Sequence, residues 1–369
     1  MRFVRPLSSL LAALLLIAVP PVAGASTRAS AGIDTALALA HAAPDATLRE
    51  ELLHDVASFL ARRGDSAGAR AAAAQLPPGR QAMVLLELAA HLPDLRSNEA
   101  EQLALDAQTA KALTTDWRKA RVAHLLAVAY ARRGKFDAAI ALAHTVPDTE
   151  EKASALQAVV AELNRAGEIS KARELAGTIE ENRRYGTYRQ KATALADTAR
   201  TLHARGNPED AATLLAQAEL LLPKKPGWSD GAAYRDVAVA AYSCGKKDKA
   251  VELLARAEAL AQQIAGPWKV TELTRVATAW RDCTDVARAA ARLSEAAVFL
   301  KTLPPLERAE EALALAQGWA LGGESREGKA EARAFVTAVL AEADRDGNPD
   351  TWRKPRVRAL LALAELSIK

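Results

Sequence analysis

Apolar residues return every three to four positions through almost the whole chain, with polar residues between them. "RVAHLLAVAYARR" (121–133) and "FDAAIALAHTV" (136–146) show the pattern. That period belongs to the α-helix. Alternation of the strand kind never lasts long enough to propose a sheet. Ala makes up roughly a quarter of the residues, and it is the best helix former. The chain therefore reads as all-helical.

The helical segments stop at regular signals. Gly64, Gly134, Gly167, Gly206 and Gly245 each follow one apolar segment, and each precedes an Ala by five residues: Ala69, Ala139, Ala172, Ala211 and Ala250. Gly suits the left-handed turn at a helix C-terminus. The Ala falls in the first turns of the next helix, where two backbones come close. Ala57, Ala127, Ala199 and Ala238, seven residues before their Gly, serve the same contact from the first helix. Leu76-Pro77, Val146-Pro147, Leu222-Pro223 and Leu303-Pro304 end the second helices, because Pro cannot continue one.

A shift of 103 residues superimposes 36–70 on 139–173. Ala36, Leu39, Ala40, His41, Pro44, Asp45, Val56, Leu60, Arg62, Gly64 and Ala69 all recur. His41 and His144 then fall in the last turn of a second helix, where a His suits the dipole. Asp45 and Asp148 fall at helix caps. The His-x-x-Pro-Asp pattern is punctuation rather than a proton-transfer pair.

The spacing predicts helix pairs at 47–63 with 66–76, 79–91 with 97–113, 116–133 with 136–146, and 150–166 with 169–181. It continues with 187–205 and 208–222, 231–244 and 247–265, 268–282 and 285–301, and 305–321 and 325–344. The unit near Cys283 has no turn Gly, and the one at Gly322-Gly323 lacks the partner Ala. Helices near 33–42 and 352–367 are expected to cap the two ends, since end repeats must hide their last apolar face. The period lengthens from about 34 to 39 residues past residue 185, which divides the array into 26–185 and 186–369.

The unit at 121–148 resembles the tetratricopeptide repeat family. Ala127, Tyr130, Gly134, Phe136 and Ala139 lie on that family's small, aromatic and turn positions. The resemblance covers most of the chain in diverged form. It implies a right-handed α-solenoid of about eight antiparallel pairs, whose first helices line a concave groove. It also implies a protein-interaction scaffold rather than an enzyme. Candidate groove residues are His54, Arg62, His124, Arg132, Gln157, Asn164, Arg165, Asp197, Arg200, Arg235, Tyr242, Arg275 and Arg281. Arg forks at those places suit a peptide or protein partner of acidic character. A helical portion of a cell-envelope hydrolase and a small-molecule sensor are the competing readings.

Composition narrows the field further. Residues 1–25 read as a cleavable signal peptide: Arg2 and Arg5, the apolar run 10–19, then Ala23-Gly24-Ala25. The expectation is export to the periplasm or medium, with a mature start near Ser26. Without Arg2 and Arg5, 47 basic residues face 45 acidic ones (49 − 2 = 47 against 45), a net +2. That balance and an aromatic content of 4% argue against a nucleic-acid surface. Past the signal, no run is long enough to span a membrane.

No cofactor motif is present, and the six His lack metalloprotease spacing. The calcium-like stretch 342–353 has Arg353 where the closing acid belongs. Cys244 and Cys283, both at the end of a first helix, are a candidate disulfide in an oxidising compartment. Trp117, Tyr188, Tyr234, Trp268 and Trp352 each precede a Lys or Arg. They are read as filler between hairpins rather than as a ligand ladder.

Overall fold

In a computed structural model, the described residues are 23–92, 118–304, 326–346 and 348–368. Positions 102, 103, 105, 106 and 109 and seven positions between 307 and 318 are also described. Most of the signal segment, Trp117 and the Gly322-Gly323 turn lie outside them. Sixteen α-helices are bounded among the described residues. They are α1 (Ala23–His41), α2 (Ala46–Arg62), α3 (Ser66–Ala73), α4 (Pro78–His91), α5 (Arg118–Arg132), α6 (Phe136–His144), α7 (Thr149–Ala166) and α8 (Ile169–Thr178). Then follow α9 (Tyr188–Ala204), α10 (Pro208–Leu221), α11 (Gly231–Ser243), α12 (Lys247–Gln262), α13 (Trp268–Asp282), α14 (Val286–Thr302), α15 (Arg326–Asp346) and α16 (Pro349–Ile368). No strand occurs among the described residues. The fold is an all-α solenoid of TPR-like hairpins.

The turn chemistry is what the glycines predict. Gly64, Gly134, Gly167, Gly206 and Gly245 all have φ between 72° and 87°. At the unit without a turn Gly, Thr284 takes the same left-handed conformation at φ 60°. Its hydrogen bonds repeat those of Gly245: Thr284 N donates to Arg281 O at 2.7 Å and Asp285 N to Trp280 O at 2.9 Å. Asp45 and Asp148 are N-caps, accepting from Leu48 N and Glu151 N at 2.7 and 2.8 Å. The paired Ala residues are fully buried on both helices of each hairpin, Ala57 against Ala69 and Ala127 against Ala139 among them. Any larger side chain there would push the helices apart.

First helices stack on first helices, and the row closes. In chain order α2, α4, α5, α7, α9, α11 and α13 are neighbours, and α16 packs against α2. Described residues between 307 and 318 complete the circuit. Thr271 on α13 bonds Glu311, while Ala312 shares an apolar cluster with Trp352, Ala359 and Ala362 of α16. The two end helices do not cap separate ends. They pack on each other along their length, as tightly as the helices of a covalent hairpin. Arg353 Nη1 donates to Leu39 O at 3.1 Å, and Gly32 lies against the Leu360 carbonyl, so the pair is antiparallel. Ala36, Ala40 and Ala43 join Val357, Leu361 and Ala364 in one core. The concave face is therefore the inside of a closed ring rather than an open groove.

The sequence carries the same arrangement once the termini are joined. "WRKARVAHLLAVA" (117–129) and "WRKPRVRALLALA" (352–364) agree at nine of thirteen positions. The end of α1, "ALALAHAAPD" (36–45), matches the end of α6. So α16 is a first helix, α1 is its second helix, and together they rebuild the unit at 117–148 from the two ends of the chain.

Candidate functional site

The first helices present a repeated polar chain to one another, with a donor on one helix and a carboxylate on the next. Arg62 on α2 faces Glu87 on α4 at 3.7 Å, and His124 on α5 meets Glu151 on α7 at 2.8 Å. Arg132 on α5 meets Glu162 on α7 at 2.8 Å, and Asn164 on α7 donates to Asp197 on α9 at 2.9 Å. Thr193 on α9 donates to Asp236 on α11 at 2.8 Å, and Arg235 on α11 bonds Glu272 on α13 at 2.5 Å. The closure follows the same direction: Arg358 and Lys354 on α16 bond Asp55 and Glu51 on α2 at 3.1 and 2.7 Å. Arg80 and Glu50 run the other way at 4.0 Å.

Three of these acids also hold a second base one turn along their own helix: Glu162 with Arg165, Asp197 with Arg200, and Glu272 with Arg275. Glu162 and Arg235 are almost wholly buried, whereas Arg165, Arg200 and Arg275 stand half exposed or more. A buried carboxylate needs its partner, because an unpaired one is costly. The hydrogen bond from His124, helped by Arg121, holds the Glu151 carboxyl below the usual range. Burial pushes Asp236 up despite Thr193 and Arg235. Burial also acts to raise Glu51, but the hydrogen bond and charge of Lys354, with Arg358, bring it below its ordinary value.

The candidate groove residues thus fall into groups. Arg62, His124, Arg132, Asn164, Arg165, Asp197, Arg200, Arg235 and Arg275 belong to this chain of pairs. Tyr242 OH shares a hydrogen bond with Thr284 Oγ1 at 2.5 Å. Arg281 acts on the neighbouring Asp282. Gln157 is half-buried on α7. The carboxylates that pair with the arginines leave the wall close to neutral rather than basic. Glu87, Glu151, Glu162 and Glu272 were not among the candidates. The recurring acid-x-x-Arg of 162–165, 197–200 and 272–275 is the signal that marks two of them.

A cavity of about 530 Å³ opens where the ring closes. Its walls are α2, α4, α13, the residues Glu311, Ala314 and Gly318, and α16. His54, Ser58, Arg62 and Glu87 contribute from one side, and Trp268, Thr271, Thr274 and Glu311 from the other. Ser58 is 5% exposed, and its Oγ has no hydrogen-bond partner; neither has His54 Nδ1. Burial, with the charges of Arg80 and Arg62, keeps His54 below its ordinary pKa. Gly318 is required beside Thr274, where a Cβ would collide with the threonine methyl.

Cys244 and Cys283 are free, so the candidate disulfide is not made. The reason is direction: Cys244 Sγ points back to Ala199 O on α9 at 3.9 Å, away from Cys283. Burial raises both thiols, Cys283 to about 11. The calcium-like stretch is two helix ends, with Asp344 bonded to Arg356 and Asp346 to the Trp352 indole. Tyr188, Tyr234 and Trp352 are buried seam filler as expected, but Trp268 is 65% exposed. Tyr185 and Trp228, in the loops before α9 and α11, are exposed as well.

No family model matches the chain, and no curated protein does. Among solved structures, a Podosopora anserina kinesin light chain protein with nearly identical TPR-like repeats is 23% identical, with a TM-score of 0.33. The match covers 61% of this chain and 96% of that one, and a point variant of the same protein matches likewise at 22%. Ton1535 from Thermococcus onnurineus NA1 is 14% identical over 91% of this chain and 98% of that one, with a TM-score of 0.31. These superpositions are loose, and the hairpin architecture stands on this chain's own helices.

Proposed function

We propose that the protein is an exported, non-catalytic scaffold that holds a segment of a partner polypeptide against the inner wall of its first helices. The observation that carries this reading is the repeated arrangement of α7, α9 and α13. On each, a largely buried acid fixes an outer arginine, Arg165, Arg200 or Arg275. A guanidinium has five donors, and its acid occupies at most two. The rest remain for carbonyls or carboxylates of a partner. Neighbouring helices lie about 8–10 Å apart, close to three residues of extended chain at about 3.3 Å each. Arg165 and Arg200, on adjacent first helices, would therefore meet residues about three or more apart in an extended peptide, and Arg275, two first helices beyond α9, would meet one at least about six residues further on.

The test uses the mature protein as bait in cell-envelope extract, beside a triple variant Arg165→Ala, Arg200→Ala and Arg275→Ala. In that variant Glu162 keeps Arg132, Glu272 keeps Arg235 and Asp197 keeps the Asn164 amide, so no buried acid is orphaned. A partner retained by the native protein and lost from the variant is expected. Undiminished retention overturns the inner wall as the binding face. A native bait that retains nothing overturns the scaffold. Export is tested separately by the N-terminal residue of the protein recovered from the envelope. A start near Ser26 is expected, and an intact Met1 removes the export reading. No helix among the described residues is long and apolar enough to cross a membrane.

A further inference from the structure

We propose that the cavity at the ring closure is a binding site for a neutral, hydroxyl-rich small molecule of the saccharide class. The claim does not rest on the scaffold reading, although the two stretches of wall share Arg275. The volume, about 530 Å³, lies in the range of small-ligand sites. Among the described residues the lining carries Arg62, Arg275 and Arg358 against Asp55, Glu87 and Glu311, three positive groups against three negative. Arg358 holds Asp55 at 3.1 Å and Arg62 faces Glu87 at 3.7 Å. Arg275 is engaged by Glu272 at 2.6 Å. A charged ligand would have to break these pairs, whereas a neutral one adds to them.

Three buried polar atoms of the described wall lack a hydrogen-bond partner: Glu87 Oε2, whose charge Arg62 balances from 3.7 Å, and two uncharged ones. The Ser58 hydroxyl is buried without a partner, and so is the Nδ1 of His54. A buried polar atom without a partner is a cost that an incoming hydroxyl relieves. Thr271 and Thr278 add hydroxyls with unused acceptor capacity, since each donates its own proton within the protein. One large apolar surface faces this polar set: Trp268, mostly exposed at the cavity edge. A sugar ring has that combination, with an apolar C–H face to lie on an indole and a rim of hydroxyls that both donate and accept.

Titration calorimetry on the full chain tests this, with cellobiose and N,N′-diacetylchitobiose as neutral probes and hexaglutamate as the charged control. At least one disaccharide should bind with a Kd on the order of 1 mM, as a few hydrogen bonds and one ring contact allow. Trp268→Ala should weaken binding about tenfold and Ser58→Ala about fivefold. Trp268→Phe should retain most of it. Trp268 is exposed, so its loss does not threaten the fold. Absence of saturable heat from both disaccharides at about 10 mM overturns the proposal. So does equal affinity in native and Trp268→Ala proteins. Displacement of a bound disaccharide by hexaglutamate also overturns it, and assigns the cavity to acidic peptides.

Discussion

At the scale of single residues, Thr284 shows how the turns work. A β-branched residue in the left-handed region is strained by roughly 1–2 kcal/mol, yet the loop bonds there match those at Gly245. Thr284→Gly should therefore stabilise the protein by about 1 kcal/mol, less the exposed hydroxyl contact with Tyr242. A urea midpoint that stays or falls argues that the Tyr242 bond outweighs the strain. His54 supplies a pH test. Its folded pKa is depressed, chiefly by burial, so the unfolded chain holds the extra proton. That contribution to stability is whole above pH 6.5 and declines as pH falls below it toward the folded value. Between about pH 7.5 and 5.5 the native protein should lose more stability than His54→Gln, and identical losses would remove His54 from the account. Turn glycines and cap aspartates were legible because their roles are local. The partners of Arg132 and Arg235 were not, because Glu162 and Glu272 lie 30 and 37 residues away. On a helix surface, a solvated carboxylate and a paired one look the same.

At the scale of elements, the least legible fact is that α1 and α16 are one hairpin. Read from end to end, each is an amphipathic terminal helix, and a capping role for each follows naturally. The match of 352–364 with 117–129, and of 36–45 with 139–148, shows the pairing only when the chain is treated as circular. The consequence is measurable. A chain starting at residue 42 lacks α1 and exposes Val357, Leu361 and Ala364, which are otherwise buried. Full burial of a Val or Leu side chain is worth about 1.5–3 kcal/mol, so the truncation should cost on the order of 5 kcal/mol. A synthetic peptide of residues 26–45 should bind the truncated chain and restore its thermal midpoint saturably. A truncated chain as stable as the full one would show that α1 is an accessory. The same pairing explains why Arg353, Lys354 and Arg358 sit together on α16. They reach Leu39, Glu51 and Asp55, and so hold both halves of the junction.

At the scale of the whole molecule, closure decides what the solenoid can do. An open array presents a groove of variable pitch and flexes along its length, because each repeat touches only its neighbours. Joining the last first helix to α2 adds a contact that every other repeat must accommodate, and it fixes the cavity between α2 and α13. The covalent hairpin from α5 to α6 needs three residues between Arg132 and Phe136, and α16 ends beside the start of α1 in the same antiparallel sense. A circular permutant can therefore link Ile368 to Ser26 through about four residues and open the chain between the exposed Lys224 and Lys225. If the ring is one cooperative body, the permutant keeps native helicity by circular dichroism and unfolds in a single transition. Its two halves remain joined through the seam between α9 and α11 and through the now covalent junction. If the contact between α1 and α16 is incidental, cutting at 224 leaves the halves held only by the α9–α11 seam, with no covalent link across it, and they should melt separately. Two resolved calorimetric transitions in the permutant, against one in the native chain, would return the molecule to an open solenoid and dissolve the cavity with it.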